Sequence, residues 1–460
     1  MPIFERATRL PFPAEEVFAW HDRPLALERL TPPWEDFRIE ERIGGIRDGG
    51  EVWIRQKFRG VSVRWHSRHH SYLANRRFVD EAVSGPFLRW VHTHTFESQP
   101  GGSVYRDRIE YAFPLGRLGE AFLRGTVRRR LERAFRYRHE TVREDLAREA
   151  SSKAKPRRIL ISGASGFLGS NLAAFLSTGG HDIHRLVRGR AASPGQVPWD
   201  PMAGKIDPAA LEGFDAVVHF SGESFERGRW TAAKKARILT SRETSTRFLA
   251  RTLAGLRKPP AVLLSASAVG FYGNRGEDVL TETAAPGRGF LAEVCRRWEA
   301  AAEPAGSIGI RVVHPRIGVV LSPASGYLRR LLPYFRLGLG MRVASGNQWI
   351  SWVALDDLLY AMQLLLESSL SGPVNVTSPN PTRNADLART LGRVLHRPAG
   401  LPAPASLVGA LFGEKGREAL LSSTRAVPAK LLAAEFRFSW APLEDALRRC
   451  LGAEPRGKAL

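Results

Sequence analysis

Residues 157–180 read RRILISGASGFLGSNLAAFLSTGG, and this stretch decides the fold of the larger part of the chain. RRILIS is a short apolar strand that runs directly into Gly163, Gly166 and Gly169, and the segment behind them is a helix. In a GxxGxxG turn of this kind Gly163 allows the tight reversal. Gly166 lets the backbone approach a pyrophosphate, and Gly169 lets the helix pack closely on the strand. The free N–H groups and positive dipole end of the helix face the phosphates, with Ser165, Phe167 and Leu168 along the loop. A second strand follows at His181–Val187. A glycine string alone is weak evidence. In strand–turn–helix–strand order it predicts a dinucleotide site in a doubly wound α/β sheet rather than a vestigial turn.

The second strand ends without the acid that usually holds the ribose hydroxyls. Val187 occupies that place, Arg188 follows, and Arg190 lies just beyond. A guanidinium suits a 2′-phosphate through charge-assisted bonds, so NADP is favoured over NAD, the alternative being that Arg188 only faces solvent. FDAVVHFSG (214–222) reads as a third strand, which would bring Ser221, Gly222 and Glu223 near the cofactor, and PAVLLSASAVGFYG (260–273) as a fourth. The whole order resembles the extended short-chain dehydrogenase/reductases, Rossmann enzymes whose active-site serine ends the fourth strand. The resemblance implies Ser267 in that role, with Ser265 second and also near the cofactor.

Such enzymes place a Tyr-xxx-Lys pair on the next helix, where lysine lowers the phenol pKa for proton transfer. If Glu299 marks the register of GFLAEVCRRWEAAA (289–302), Leu291 replaces the tyrosine and Cys295 the lysine. Tyr272 lies close in sequence and is a further candidate, either swung toward the site or packed. Cys295 as a nucleophile would need a histidine partner, and none is identifiable. The combination resembles the atypical dehydrogenase/reductases of the NAD-dependent epimerase/dehydratase-like family. The phrases that carry the likeness are RWT (229–231), Ser241-Arg242, RIGVVL (316–321), GNQWISWVALDD (346–357), GPVNVTSP (372–379) and PAKLL (428–432). Ala354 stands where the family phrase has histidine, so no role for that histidine carries over. The resemblance implies a Rossmann domain at 157–397 and a small C-terminal helical module at 398–451. It also implies an NADP-dependent oxidoreductase or epimerase acting on a small hydroxyl- or carbonyl-bearing substrate. Two other readings stay open: a non-catalytic NADP sensor or scaffold linked to cell division, and a ligand carrier coupled to a reductase.

Residues 1–147 have a different texture. PAEEVFAWHDRP (13–24) starts a helix with proline early and acids next. Period-two alternation runs from about Phe37 to Phe113, and helical spacing follows from Leu118 to about Arg148, through Phe122, Val127, Leu131, Phe135 and Val142. This order resembles the α+β helix-grip fold of the START-like (SRPBCC) superfamily. The strands would bring Trp53 or Ile54, Val63, Trp65, Trp90 and Phe96 into alternating faces, and the helix would cover one of them. Such a domain either encloses a cavity for an apolar or amphipathic ligand or packs solid as a docking module. EASSKAKP (149–156) reads as a linker.

Composition sets the remaining bounds. Hydrophobic residues at 43% and charged residues at 25% are ordinary for a globular protein of two or three domains. The net charge of +22 comes mostly from dispersed arginines, without zinc-finger or RNP spacing, so nucleic acid is not expected. No apolar run spans a membrane, and MPIFERATRL lacks the apolar core of a secretory signal. Two cysteines fit a reducing cytoplasm. His92 and His94, with His66, His69 and His70 nearby, offer imidazoles on a sheet face. No third ligand shows at a fixed spacing, so no metal is expected. The resemblance leaves a homodimer open.

Overall fold

The computed structural model describes all residues except 59, 153, 154, 227 and 457–460, and all side chains of the rest except 58, 407, 411 and 412. Contacts divide the chain into two units, 1–153 with 174–180 and 154–173 with 181–460. The expected linker at 149–156 begins inside a helix that runs to Ser151. Its residues 153 and 154 lie outside the described ones.

In the first unit β1 (Ile3–Leu10) leads into α1 (Ala14–Asp22) and α2 (Ala26–Leu30). Then come β2 (Phe37–Ile43), β3 (Glu51–Phe58), β4 (Val61–Leu73), β5 (Arg77–Ser84), β6 (Arg89–Gln99) and β7 (Gly102–Ala112), and the long helix α3 (Gly116–Ser151). The strands form one antiparallel sheet in the order β1-β7-β6-β5-β4-β3-β2. The period-two signal missed β1, because two of its inward residues, Arg6 and Thr8, are polar. Pairing with β7 fixes its register, Thr8 opposite Tyr105.

Sheet and helices enclose a cavity of about 540 Å³. Ile54, Val63, Trp65 and Trp90 line it from the sheet, and Val127, Leu131 and Phe135 from α3. Trp53 faces the other way and stacks on His66. Phe96 belongs to the packed core with Phe18 and Phe78. The helical spacing fails at its start, where Phe122 is 82% exposed. It lies five residues before Val127, which turns it about 140° off the covering face at 100° per residue.

The second unit holds a twisted, largely parallel sheet. β8 (Arg158–Ser162), α4 (Phe167–Thr178), β9 (Asp182–Val187), β10 (Gln196–Asp200) and β11 (Lys205–Ile206) build one side. β12 (Ala216–His219), α5 (Ala232–Ala254), β13 (Val262–Ser265), β14 (Ser267–Ala268), α6 (Phe290–Ala300) and the strands Arg311–Ile317 and Gly372–Val376 build the other. The order is β11-β10-β9-β8-β12-β13, then Arg311–Ile317, which pairs with both β14 and Gly372–Val376. The chain therefore reverses direction across the sheet between β8 and β12, and such a switch point opens a crevice at the strands' carboxyl ends. The C-terminal helices Ala405–Ala419 and Leu443–Leu451 belong to this same unit. Among the described residues no helix is long and apolar enough to cross a membrane.

Candidate cofactor and active site

The parallel register aligns Leu186, Ser162, His219 and Ser265 in one row across β9, β8, β12 and β13. The next residues of all four strands therefore emerge together at the carboxyl edge. They are Val187 with Arg188, Gly163, Phe220 with Ser221, and Ala266 with Ser267. The sequence-predicted cofactor residues are gathered here by topology rather than by nearness in the chain.

Glycine is required at two points of the turn. Gly163 has φ +68°, and a Cβ there would lie 3.0 Å from the Phe220 carbonyl carbon. A Cβ on Gly169 would lie 2.4 Å from the Gly163 oxygen, so α4 sits on the strand as closely as glycine allows. The backbone N–H groups of the first turn of α4, around Phe167 and Leu168, have no acceptor within the helix and are left for an anion. Beneath the turn His219 is fully buried, with Nδ1 2.6 Å from Ser162 Oγ and Nε2 3.3 Å from Ser245 Oγ. Burial, and then the nearby Arg242 guanidinium, push its pKa down to about 3, so the imidazole is neutral.

Arg188 is exposed, and no carboxylate among the described residues pairs with it. Glu223 instead is committed. Its carboxylate pairs with Lys234, its N–H donates to Ser241 Oγ at 2.9 Å, and its carbonyl accepts from Arg242 at 2.8 Å. A Cβ on Gly222 would meet the Arg242 guanidinium carbon at 3.0 Å. The Ser265 hydroxyl is buried without a protein partner. Glycines that admit no Cβ, free helix N–H groups, an unpaired arginine and a buried unpartnered hydroxyl together fit a phosphorylated dinucleotide.

Ser267 donates to Glu299 Oε1 at 2.7 Å, and Arg316 holds the same carboxylate through Nε and Nη2, both at 2.9 Å. Leu291 and Cys295 lie two turns and one turn before Glu299 on α6, and a Cβ on Gly270 beside β14 would touch both. The helix thus presents an apolar group and a thiol where a phenol and an amine are usual. Cys295 is buried, which lifts its pKa to about 11 and keeps it a thiol. Tyr272 is fully buried. Its hydroxyl lies 2.7 Å from Asn375 Oδ1 and 3.1 Å from the Thr281 carbonyl, and accepts from Arg316 at 3.0 Å. The phenol is locked into the wall, so its packed alternative describes the geometry. In the sequence Arg316 and Asn375 stand only inside longer phrases; a charged residue within the largely apolar strand RVVHPRI is the signal that it anchors something. Ala354 is buried in the core beside Trp352 and Leu391.

Residues 159–377 match the family model "NAD dependent epimerase/dehydratase family", 10–136 match "Polyketide cyclase / dehydrase and lipid transport", and 403–450 match a domain of unknown function. An epimerase family protein of Mycobacterium bovis is 43% identical over 290 residues, which is 63% of this chain and 96% of that protein. The chain belongs to the NAD-dependent epimerase/dehydratase family. A nucleoside-diphosphate sugar epimerase from Corynebacterium glutamicum resembles it over 98% of this chain and 90% of that one, with TM-score 0.80 and 31% identity. The likeness therefore covers both units. The human epimerase family protein SDR39U1, solved with NADPH, covers 64% of this chain and 98% of its own, with TM-score 0.59 and 30% identity. The epimerase-family domain of this chain is thus a Rossmann fold with a small C-terminal module, preceded by a START-like domain.

Proposed function

We propose that this member of the family is an NADP-dependent oxidoreductase or epimerase for a small hydroxyl- or carbonyl-bearing substrate. The observation that carries the cofactor choice is Arg188, exposed and unpaired at the carboxyl end of β9 where no acid stands. The human relative solved with NADPH supports it. Gly163, Ser165, Gly166, Phe167, Leu168 and Gly169 would hold the pyrophosphate, and Arg188 the 2′-phosphate. Ser221, Gly222 and Glu223 would border the adenosine side, and Ser265 the nicotinamide side. When bound, the dinucleotide supplies a hydride acceptor and donor.

With its own proton on Glu299, Ser267 Oγ offers lone pairs to a substrate hydroxyl. A proton leaving that hydroxyl has a route through Ser267 to Glu299, a carboxylate already held by Arg316. We assign Tyr272 to holding Arg316. Titration of NADPH and NADH by cofactor fluorescence tests the reading. NADPH should bind at least roughly tenfold tighter, and Arg188→Ala should abolish the preference. Equal affinities in the unaltered chain would defeat it. Leu291 and Cys295 favour the second reading, a non-catalytic NADP sensor. Turnover of cofactor with any member of a sugar-nucleotide and carbonyl panel would exclude that reading.

For the N-terminal unit we propose an amphipathic acid as ligand. Arg23, Arg42 and Arg130, which line its cavity, pair with Glu149, Glu28 and Glu35, whereas Arg138, also in the lining, has its Nε buried without a hydrogen-bond partner and suits an anionic head group above an apolar body.

A further inference from the structure

A cluster of charge sits in the wall of the N-terminal cavity, and no role assigned so far uses it. His92 and His94 are two residues apart on β6 and therefore share a face. Across from His92 on β5 is Asp80, and across from His94 on β7 is Asp107. Asp80, His92 and His94 line the cavity, while Asp107 lies behind them, fully buried.

Asp80 Oδ2 is 3.0 Å from His92 Nδ1 and 3.3 Å from His94 Nε2. One ligand atom from each residue lies within 4.8 Å of the others. Both second nitrogens approach one atom, Asp107 Oδ1: His92 Nε2 hydrogen-bonds it at 3.0 Å, and His94 Nδ1 lies 2.7 Å away outside hydrogen-bond geometry. The other oxygen of Asp107 is held by His139 Nε2 at 2.8 Å, and His139 Nδ1 meets Thr8 Oγ1 at 2.8 Å.

Asp107 is fully buried and Asp80 only partly exposed to the cavity, so the pair of carboxylates favours positive charge beside it. Protonating both His92 and His94 to supply it would bring like charges together, with ring centroids only 3.8 Å apart. A single divalent ion supplies it at one point. Bonds of about 2.0–2.1 Å to nitrogen and oxygen place neighbouring ligand atoms roughly 3.0–3.4 Å apart, the spacing seen around Asp80. We propose that Asp80, His92 and His94 bind one divalent transition ion through two imidazoles and a carboxylate, with Asp107 as the positioning residue behind both rings. A donor set of two histidines and one carboxylate suits zinc or ferrous iron and leaves positions open. Here those positions face the cavity, where an oxygen-bearing ligand would complete the shell. The third ligand escaped the spacing argument because it comes from the neighbouring strand, twelve residues before His92.

The test uses the full chain, stripped with a chelator and titrated with Zn²⁺ and separately with Co²⁺. One Zn²⁺ should bind per chain, at least tenfold tighter than in the double variant His92→Gln/His94→Gln. His66→Gln should bind as the unaltered chain does, since His66 stacks on Trp53 and pairs with Glu51 away from the cluster. Asp107→Asn should keep the stoichiometry and weaken binding roughly 10–100-fold. If the double variant loses its far-ultraviolet circular dichroism, the unaltered chain decides: its Co²⁺ form should show spin-echo modulation from imidazole nitrogen. No zinc bound, equal binding by a folded double variant, or cobalt without imidazole coupling would each overturn the proposal and leave a metal-free ion-pair cluster.

Discussion

At the scale of single residues the second unit separates groups that hold protons from groups that hold shape. Ser267 Oγ is the hydroxyl aligned with Glu299, whereas the Cys295 thiol is buried with its pKa lifted to about 11. On any substrate found, Ser267→Ala should cut kcat by about 10²-fold or more, as loss of a proton-relay group does. Glu299→Gln should do the same, and Cys295→Ser should leave kcat nearly unchanged. A large loss from Cys295→Ser would show the thiol in the chemistry. His219 makes a different prediction. Its folded pKa of about 3 lies below the ordinary 6.5, so the unfolded chain takes the proton first. The stability tied to this neutral imidazole is fully present above pH 6.5 and is lost as pH falls toward 3. At pH 5 the loss is about 2 kcal/mol. Unfolding midpoints between pH 7.5 and 5 should therefore fall less steeply in His219→Asn than in the unaltered chain. Parallel curves would refute the assignment.

At the scale of elements the C-terminal module fixes parts of the site. Glu418, on helix Ala405–Ala419, accepts the Phe290 and Leu291 N–H groups at 2.8 Å each and so caps α6, which carries Cys295 and Glu299. Glu418→Ala should cost about 0.5–2 kcal/mol, read as a lower denaturant midpoint. Its dinucleotide affinity should change little, because the glycine turn lies elsewhere. The same module is tied to the helix Leu355–Glu367. Asp357 accepts the Ser439 and Trp440 N–H groups at 2.7 and 3.0 Å, and Asp356 meets Arg449 at 3.1 Å with both side chains buried. Asp356→Ala would leave a buried guanidinium without its carboxylate, a loss of about 3–5 kcal/mol by denaturant unfolding. The paired acids in WVALDD thus anchor a neighbouring segment. The sequence showed these acids only as a phrase, because the partners lie more than eighty residues away. Strand assignments were legible at β8, β12 and β13, which are runs of mostly buried and apolar residues, but not at β10, where only Val197 and Trp199 point inward. Periodicity also failed at β1, whose inward face carries Arg6 and Thr8, and at Phe122, where a step of five was counted as a helical repeat.

At the scale of the whole molecule two units of different texture stand in one chain, and each carries a candidate site. The N-terminal cavity is mostly apolar in its walls, with Arg138 among its lining residues, so an aromatic or fatty acid should raise the unfolding temperature of that unit in the full chain. At a hundred times its dissociation constant such a ligand contributes about 2.7 kcal/mol. A panel of such acids without any shift would count against a bound ligand and favour the docking-module alternative. The net charge of +22 has a local outlet as well, since many arginines pair with carboxylates on their own unit, as Arg316 does with Glu299 and Arg449 with Asp356.

The sequence by itself determined the doubly wound sheet, its glycine turn, the absent acid after β9 and the missing phenol–lysine pair. Each of these is written in neighbouring residues, where short-range backbone chemistry leaves few alternatives. Only the tertiary structure decided what those residues meet. Parallel register set Arg188, Gly163, Ser221 and Ser267 on one edge, and burial froze Tyr272 between Arg316 and Asn375. Antiparallel pairing brought Asp80 and Asp107 onto His92 and His94. Contacts of that kind join strands through hydrogen-bond register and packing, and local spacing along the chain does not encode them.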